Sequence, residues 1–337
     1  MSGAPLTPQS APPRPDLNGS SPEPGSPVPD YVPLAPSWSR TDRIGISAAW
    51  GSGILLCVLA AAIVIYMGVK GVQFLNFDML TQSPKPGLDQ SKTGGFLDPI
   101  IGTLLLAVMG IAIALPIGVA IAIWLSEYGR PSGLARAVES AIEMIAGAPS
   151  IVLAIFGLLI FSQGIFGFLS FTAEGGAVFG RSFFAAAAMM SLIALPLVVG
   201  ATREALDSIP AHVREASYAL GKDKISTIRR VLVPASRSGI ATGATLGMGR
   251  IVGDTAIVVI LLGASLKLDP ANGTPILGTL RGTGGTLTSY VYNNSPAGEG
   301  NAPEKAYAAA FVLLLAVVLL NFLVDLTVRR RKSNWTT

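Results

Sequence analysis

The sequence predicts an all-α membrane protein with six transmembrane helices and one basic, amphipathic cytoplasmic loop. Of the 337 residues, 50% are hydrophobic and only 13% charged, whereas a soluble domain carries about 25% charged residues. Mean hydropathy is +0.57. The apolar residues come in runs near the ~20 residues needed to cross a bilayer, and Lys and Arg gather at the ends of those runs.

Residues 1–38 hold eleven of the 24 prolines. A stretch so rich in Pro, Ser and Gly buries no core and is expected to be a solvated, disordered tail. The first apolar run, about 44–69, follows Arg40 and Arg43, and a polar loop carries the chain to residue 97. The second span, about 99–125, contains Pro116, whose missing N–H bends a helix. The loop after it carries Arg130 and Arg136. The third span, about 137–161, has Pro149 in its middle. Its acids Glu139 and Glu143 are expected to be satisfied by Arg or water. The fourth span covers about 182–200, the fifth about 240–263 and the sixth about 307–328, with a long Gly-, Asn- and Pro-bearing loop over 264–306. Arg329, Arg330, Arg331 and Lys332 close the sixth. With six spans every basic cluster falls on one side, which puts both termini in the cytoplasm. The chain then divides into the tail (1–38), a first helix with its external loop (39–97), a five-helix core (98–328) and a basic tail (329–337). Cys57 lies in an apolar run and is read as packing, and His212 as a helix-end surface residue.

Residues 215–234 read EASYALGKDKISTIRRVLVP. Two short helical patterns meet there at Gly221, the natural stop, because a left-handed residue without a Cβ closes a helix cheaply. Ser208 is expected to cap the first helix, with Pro210 in its first turn. Val213, Ala216, Ser217 and Leu220 share one face. In the second helix Ile225, Ile228, Val231 and Leu232 share one side, Lys222, Lys224, Arg229 and Arg230 surround the rest, and Pro234 ends the pattern. A basic amphipathic pair between two apolar segments belongs at the membrane surface.

The fifth span is the least lipid-like. Gly239, Gly243 and Gly247 recur every four residues, followed by Gly249 and Gly253, a spacing that lets helix backbones approach closely. Arg250 and Asp254 sit four apart. A charge at membrane depth costs about 2.5–3.5 kcal/mol at a helix centre and usually marks a pathway. Arg suits an oxyanion, since its planar fork gives two charge-assisted hydrogen bonds and stays protonated. Asp254 can balance that charge, or accept a hydrogen bond from a ligand that still carries protons, as phosphate does near neutral pH and sulfate does not.

The loop resembles the EAA loop of ABC-importer permeases, with Glu215, Ala216, Gly221 and Pro234 at matching separations and Ser217 in place of the second Ala. Over about residues 90–330 the chain is similar to PstA-type permeases of phosphate ABC importers, through GGFLDPIIGTLLL (94–106), LSEYG (125–129), GAPSIV (147–152), LPLVV (195–199) and GRIVGDTA (249–256). Asp254 stands where that family usually has Glu. Gly200 stands where it commonly has Arg, and Arg203 follows three residues on as a secondary anion contact or an interfacial anchor. The resemblance implies a type I ABC importer permease in a bacterial plasma membrane, a subunit that carries phosphate. It further implies a second, PstC-type permease, two PstB-type ATPase subunits docked at Glu215–Pro234, and a PstS-type phosphate-binding protein. ATP and Mg would sit on the ATPases, with no cofactor on this chain.

No phosphate-binding loop of the type that hydrolyses ATP is present. Gly282–Gly285 lacks its Lys and is read as a flexible turn. Neither a nucleophile elbow, a catalytic triad nor a His/Cys metal cluster is found, and nucleic-acid binding has no support, since the basic residues sit at membrane ends. The remaining alternatives are a permease for phosphonate or sulfate, a stand-alone secondary transporter using Arg250 and Asp254 as a proton-linked pair, and a membrane scaffold or sensor. The EAA-like loop and the lack of internal repeats argue against the second, and the intramembrane Arg against the third.

Overall fold

A computed structural model describes residues 40–85, 94–129, 132–170, 179–263, 277–296 and 302–332. The regular elements among the described residues are helices, with no strand among them. They fall into two units divided between Leu59 and Ala60. The Pro-rich tail lies outside the described residues.

Helix α1 (Arg40–Phe74) runs across that division, and its apolar side chains, Cys57 included, are exposed over residues 44–65. Short α2 (Phe77–Thr81) leads to α3 (Leu97–Glu127), which continues unbroken past Pro116. Then α4 (Gly133–Gly147) and α5 (Ser150–Phe161) follow. Helix α6 (Phe183–Asp207) is the core of the second unit: 61% of its most apolar stretch is buried, against 28% for α3. Leu106 and Ala114 of α3, Met190, Ile193 and Val198 of α6, and Ile251, Ile257 and Leu261 further along form one apolar cluster.

The third expected span is not straight. Helices α4 and α5 meet at 108°. Ala148 and Pro149 are both extended, with ψ near 134° and 132°. A residue before proline is pushed out of the helical region, and proline itself donates nothing to the preceding turn, so the chain turns at this pair. The fifth expected span is broken as well: α10 (Arg237–Gly253) and α11 (Ala256–Leu261) are separated at Asp254, whose backbone is extended. Among the described residues, α1, α3, α6 and α14 (Pro303–Lys332) are long and apolar enough to cross a membrane alone, α4–α5 makes a fifth if the bent pair counts as one, and the broken α10–α11 pair occupies the fifth of the six expected spans.

Between α6 and α10 lie α7 (Ala211–Ala219), α8 (Lys224–Thr227), a π turn (Ile228–Leu232) and α9 (Val233–Ala235). At the opposite end of α3, α12 (Leu277–Arg281) and α13 (Leu287–Asn294) pack against the helix starts. A capping box at Thr286 and Ser289 opens α13, and the Leu287 N–H donates to Thr103 Oγ1 of α3 at 2.8 Å. Tyr290 packs on Phe96 at 5.6 Å between ring centroids, and burial pushes its hydroxyl up to about 12. The Gly282–Gly285 segment is tied down: Gly282 O accepts from Phe183 N–H and Gly284 N–H donates to Leu262 O.

Candidate functional site: the helix–glycine–helix loop and the Arg250–Asp254 break

The loop begins where α6 ends. Ser208 does not cap α7; its hydroxyl donates back to Ala205 O at 2.8 Å and closes α6. Pro210 takes the cap position, with extended backbone and no side-chain bond to offer. Helix α7 then stops as its glycine dictates. Gly221 has φ +74°, its N–H donates to Tyr218 O and the Lys222 N–H to Ser217 O. That pair of bonds satisfies the last carbonyls of α7. Across the turn the Ser217 and Thr227 hydroxyls, both buried, bond at 2.8 Å. The residue replacing the second Ala of the motif therefore ties the two helices together.

The expected apolar faces are split by this turn. Ser217, Thr227 and Leu232 are buried, whereas Leu220 and Ile225 are 80% and 68% exposed. Glu215, Ala216 and Gly221 are exposed and Pro234 is half-buried. Pro234 has no N–H for the regular helical bond, and the turn before it widens to the π form, with Val233 N–H donating to Ile228 O.

Ionic contacts fasten the loop to the bundle. The Arg214 guanidinium donates Nε to Glu127 Oε1 at 3.0 Å, Nη1 to Ile209 O at 2.7 Å and Nη2 to Leu206 O at 2.9 Å. Lys224 Nζ donates to Glu127 O and lies 4.2 Å from the Tyr128 ring centroid. Ser126 Oγ donates to Asp207 Oδ1 at 2.8 Å. Arg203 pairs with Glu139 at 2.6 Å and approaches Asp207 at 3.7 Å, so of the two acids of α4 Glu139 is satisfied by an Arg.

Helix α10 packs its small residues on α6. A Cβ on Gly243 would come within 3.2 Å of Val198 backbone and one on Gly247 within 3.1 Å of the Val198 side chain, while Gly239 lies against Ala205. Gly243, Ala244, Gly247, Met248, Ile251 and Val252 are buried. Thr242, Leu246, Arg250 and Gly253 lie on the opposite, exposed face, and a Cβ on Gly249 or Gly253 would meet nothing within 4 Å.

At the end of that open face, Arg250 Nη2 lies 3.9 Å from Asp254 Oδ2. The Arg250 side chain is 45% exposed and the Asp254 side chain 4%. Asp254 Oδ1 accepts the Ile257 N–H at 3.1 Å. One carboxylate thus does two things: it satisfies a first-turn donor of α11, as a helix-capping acid does, and it faces the guanidinium. Arg203 is not brought to this pair. The packing register sets Gly239 beside Ala205 and Gly247 between Val198 and Ala194. Arg250 is therefore level with about residue 193, and at 1.5 Å per residue Arg203 lies roughly 15 Å away along α6.

Glu127 and Arg214 were not singled out by the sequence, because 87 residues separate them. The only available signal was their place inside or beside the matched motifs, LSEYG and the EAA loop. Among the described residues no group of three or more His, Cys, Asp or Glu is arranged for a metal.

Comparison with known proteins agrees with this architecture. The chain is 34% identical over 241 residues to the phosphate transport system permease protein PstA 1 of Mycobacterium tuberculosis (strain ATCC 25618 / H37Rv), covering 72% of each chain. It is 28% identical over 304 residues to the phosphate transport system permease protein PstC of Mesorhizobium japonicum, covering 84% of this chain and 88% of that one. Its fold is shared with a chain of a bacterial alginate ABC transporter solved with its alginate pentasaccharide-bound periplasmic protein, at TM-score 0.57 and 15% identity, covering 86% and 95% of the two chains. Residues 114–333 match the binding-protein-dependent transport system inner membrane component family. The chain belongs to that family of membrane permease subunits.

Proposed function

We propose that this chain is one of two permease subunits of an ATP-driven importer for inorganic phosphate. The observation that carries the reading is Arg250: a half-exposed guanidinium on the open face of α10, in a chain whose relatives include phosphate permeases. A second, PstC-type permease chain would complete the pore. A PstS-type binding protein would deliver the anion from outside. Two PstB-type ATPases, which hold ATP and Mg, would dock on the exposed loop around Glu215, Ala216 and Gly221, where Leu220 and Ile225 offer apolar contact. This chain hydrolyses no ATP, and both of its termini face the cytoplasm of a bacterial plasma membrane.

In this reading Arg250 offers the anion a transient two-pronged contact. Asp254 Oδ2, the oxygen not spent on Ile257, faces the same guanidinium. It can accept a hydrogen bond from a protonated phosphate, an interaction sulfate cannot make. Arg203, paired with Glu139 near the loop, acts as an anchor rather than a second anion contact.

The test is uptake of radiolabelled phosphate at low external concentration by cells lacking this chain, complemented with wild type or Arg250→Gln at equal membrane levels. Rescue by wild type alone supports the reading. Rescue by both removes Arg250 from the path, and rescue by neither, with phosphonate or sulfate uptake restored instead, replaces the substrate. Loss of a co-purifying ATPase on Gly221→Asp separates an ABC permease from a stand-alone carrier.

A further inference from the structure

The loop grips one place on the bundle from both of its halves. Arg214, on α7, holds the Glu127 carboxylate, and Lys224, on α8, holds the Glu127 backbone carbonyl. These contacts lie on either side of Gly221. Ser126 adds a bond to Asp207 at the end of α6. The Glu127 side chain is 7% exposed and that of Arg214 20%, and all three guanidinium nitrogens are spent. A charge-assisted bond to a shielded carboxylate, with a second contact on the same residue's backbone carbonyl, resists displacement far better than a solvated ion pair.

We propose that Glu127 and Arg214 form the strut that passes movement of the ATPase-facing loop into α3; this rests on the importer reading above. By chain connection alone, the loop can pull only on α6, where it starts, and α10, where it ends. The clamp adds α3 as a third recipient. Helix α3 also touches the α10 segment that carries the exposed charge: a Cβ on Gly110 would lie 2.9 Å from Ile251 Cδ1, and Ile251 follows Arg250. Displacing the end of α3 therefore moves a surface packed directly behind Arg250. Glu127 and Arg214 are positioning residues in this scheme, since neither lies on the exposed face of α10.

The experiment uses the complete complex, with both permease chains and both ATPases, in proteoliposomes with phosphate-loaded binding protein. Glu127→Gln and Arg214→Lys are compared with wild type in complex yield, basal ATP hydrolysis, and phosphate moved per ATP. Both variants are expected to assemble and hydrolyse ATP without cargo, yet move at least about tenfold less phosphate per ATP, the factor set by ~1.4 kcal/mol of lost coupling. A ratio within about twofold of wild type in either assembled variant overturns the proposal. A wild-type complex that moves no phosphate would instead overturn the importer reading.

If a variant fails to assemble, spin labels at Lys222 and Ala120, both exposed, address the same point in otherwise wild-type protein. A separation that holds within about 2 Å between nucleotide-free and ATP-trapped complexes supports a rigid strut; a change of about one helical turn (~5 Å) overturns it.

Discussion

Replacing Asp254 in two ways separates its two contacts. Asp254→Asn keeps an oxygen in place to accept the Ile257 N–H, whereas Asp254→Ala removes it. Ile257 is fully buried, so the alanine variant leaves a shielded donor unmade, at a cost of about 1–3 kcal/mol. The ionic contact is worth less: at 3.9 Å, to a guanidinium 45% exposed, it contributes under about 1 kcal/mol. The expected order of stability is wild type, then Asp254→Asn close behind, then Asp254→Ala lower by about 1–3 kcal/mol. Transport should rank differently, because asparagine lacks the charge. Asp254→Asn should keep its thermal midpoint and lose preference for phosphate over sulfate. The assays are thermal unfolding of the purified complex and uptake of labelled phosphate against sulfate competitor. Equal stability of the two variants would refute the capping argument, and unchanged selectivity in Asp254→Asn would refute the proton-acceptor argument.

Gly221→Ala should destabilise the loop by about 1–2 kcal/mol through its left-handed backbone alone, since a Cβ there meets nothing within 4 Å. Gly221→Asn should cost less, and ATPase retained on affinity purification ranks the two. Gly239→Leu, pressed against Ala205, should lower the thermal midpoint, while Gly249→Leu, in open space, should leave it unchanged and reduce phosphate uptake instead. Tyr290→Phe removes a buried hydroxyl that makes no hydrogen bond and should be neutral or stabilising by up to ~1 kcal/mol in thermal unfolding. With the Tyr290 hydroxyl raised from 10.0 to about 12, only the unfolded chain releases its proton just above pH 10, so stability falls as pH rises from 10 through about 12; the Phe variant should lack that alkaline loss.

Long apolar runs made α1, α3, α6 and α14 legible, because an uninterrupted run of that length has one solution in a bilayer. The breaks were marked in the sequence but misjudged. Pro149 is preceded by Ala148, and the pair leaves the helix together, whereas Pro116 and Pro196 stay inside theirs. A proline permits such a break without dictating it, since the same residue is accommodated inside α3 and α6. Asp254 read as a charge inside a span; its second role as a cap appears only once Ile257 N–H is seen pointing at it. Gly221 was legible because a positive φ leaves few residues to choose from. Ser208 was not, since a serine between two helices can close the first or open the second. The Glu127–Arg214 contact joins distant segments, and no local pattern encodes it.

The glycines of α10 have a consequence beyond close approach. Where Gly239, Gly243 and Gly247 meet α6, the contact is with Ala194, Ala201, Ala205 and the backbone and side chain of Val198, and at these three positions α10 has no side chain to interlock. Spacing along this stretch is therefore set by backbone and small side chains, and a larger residue at Gly239 or Gly243 would have to push α10 off α6. Toward Arg250 the joint changes character: Ile251 enters the apolar cluster with Met190 and Ile193, so the end of the open face is held by interlocking side chains instead.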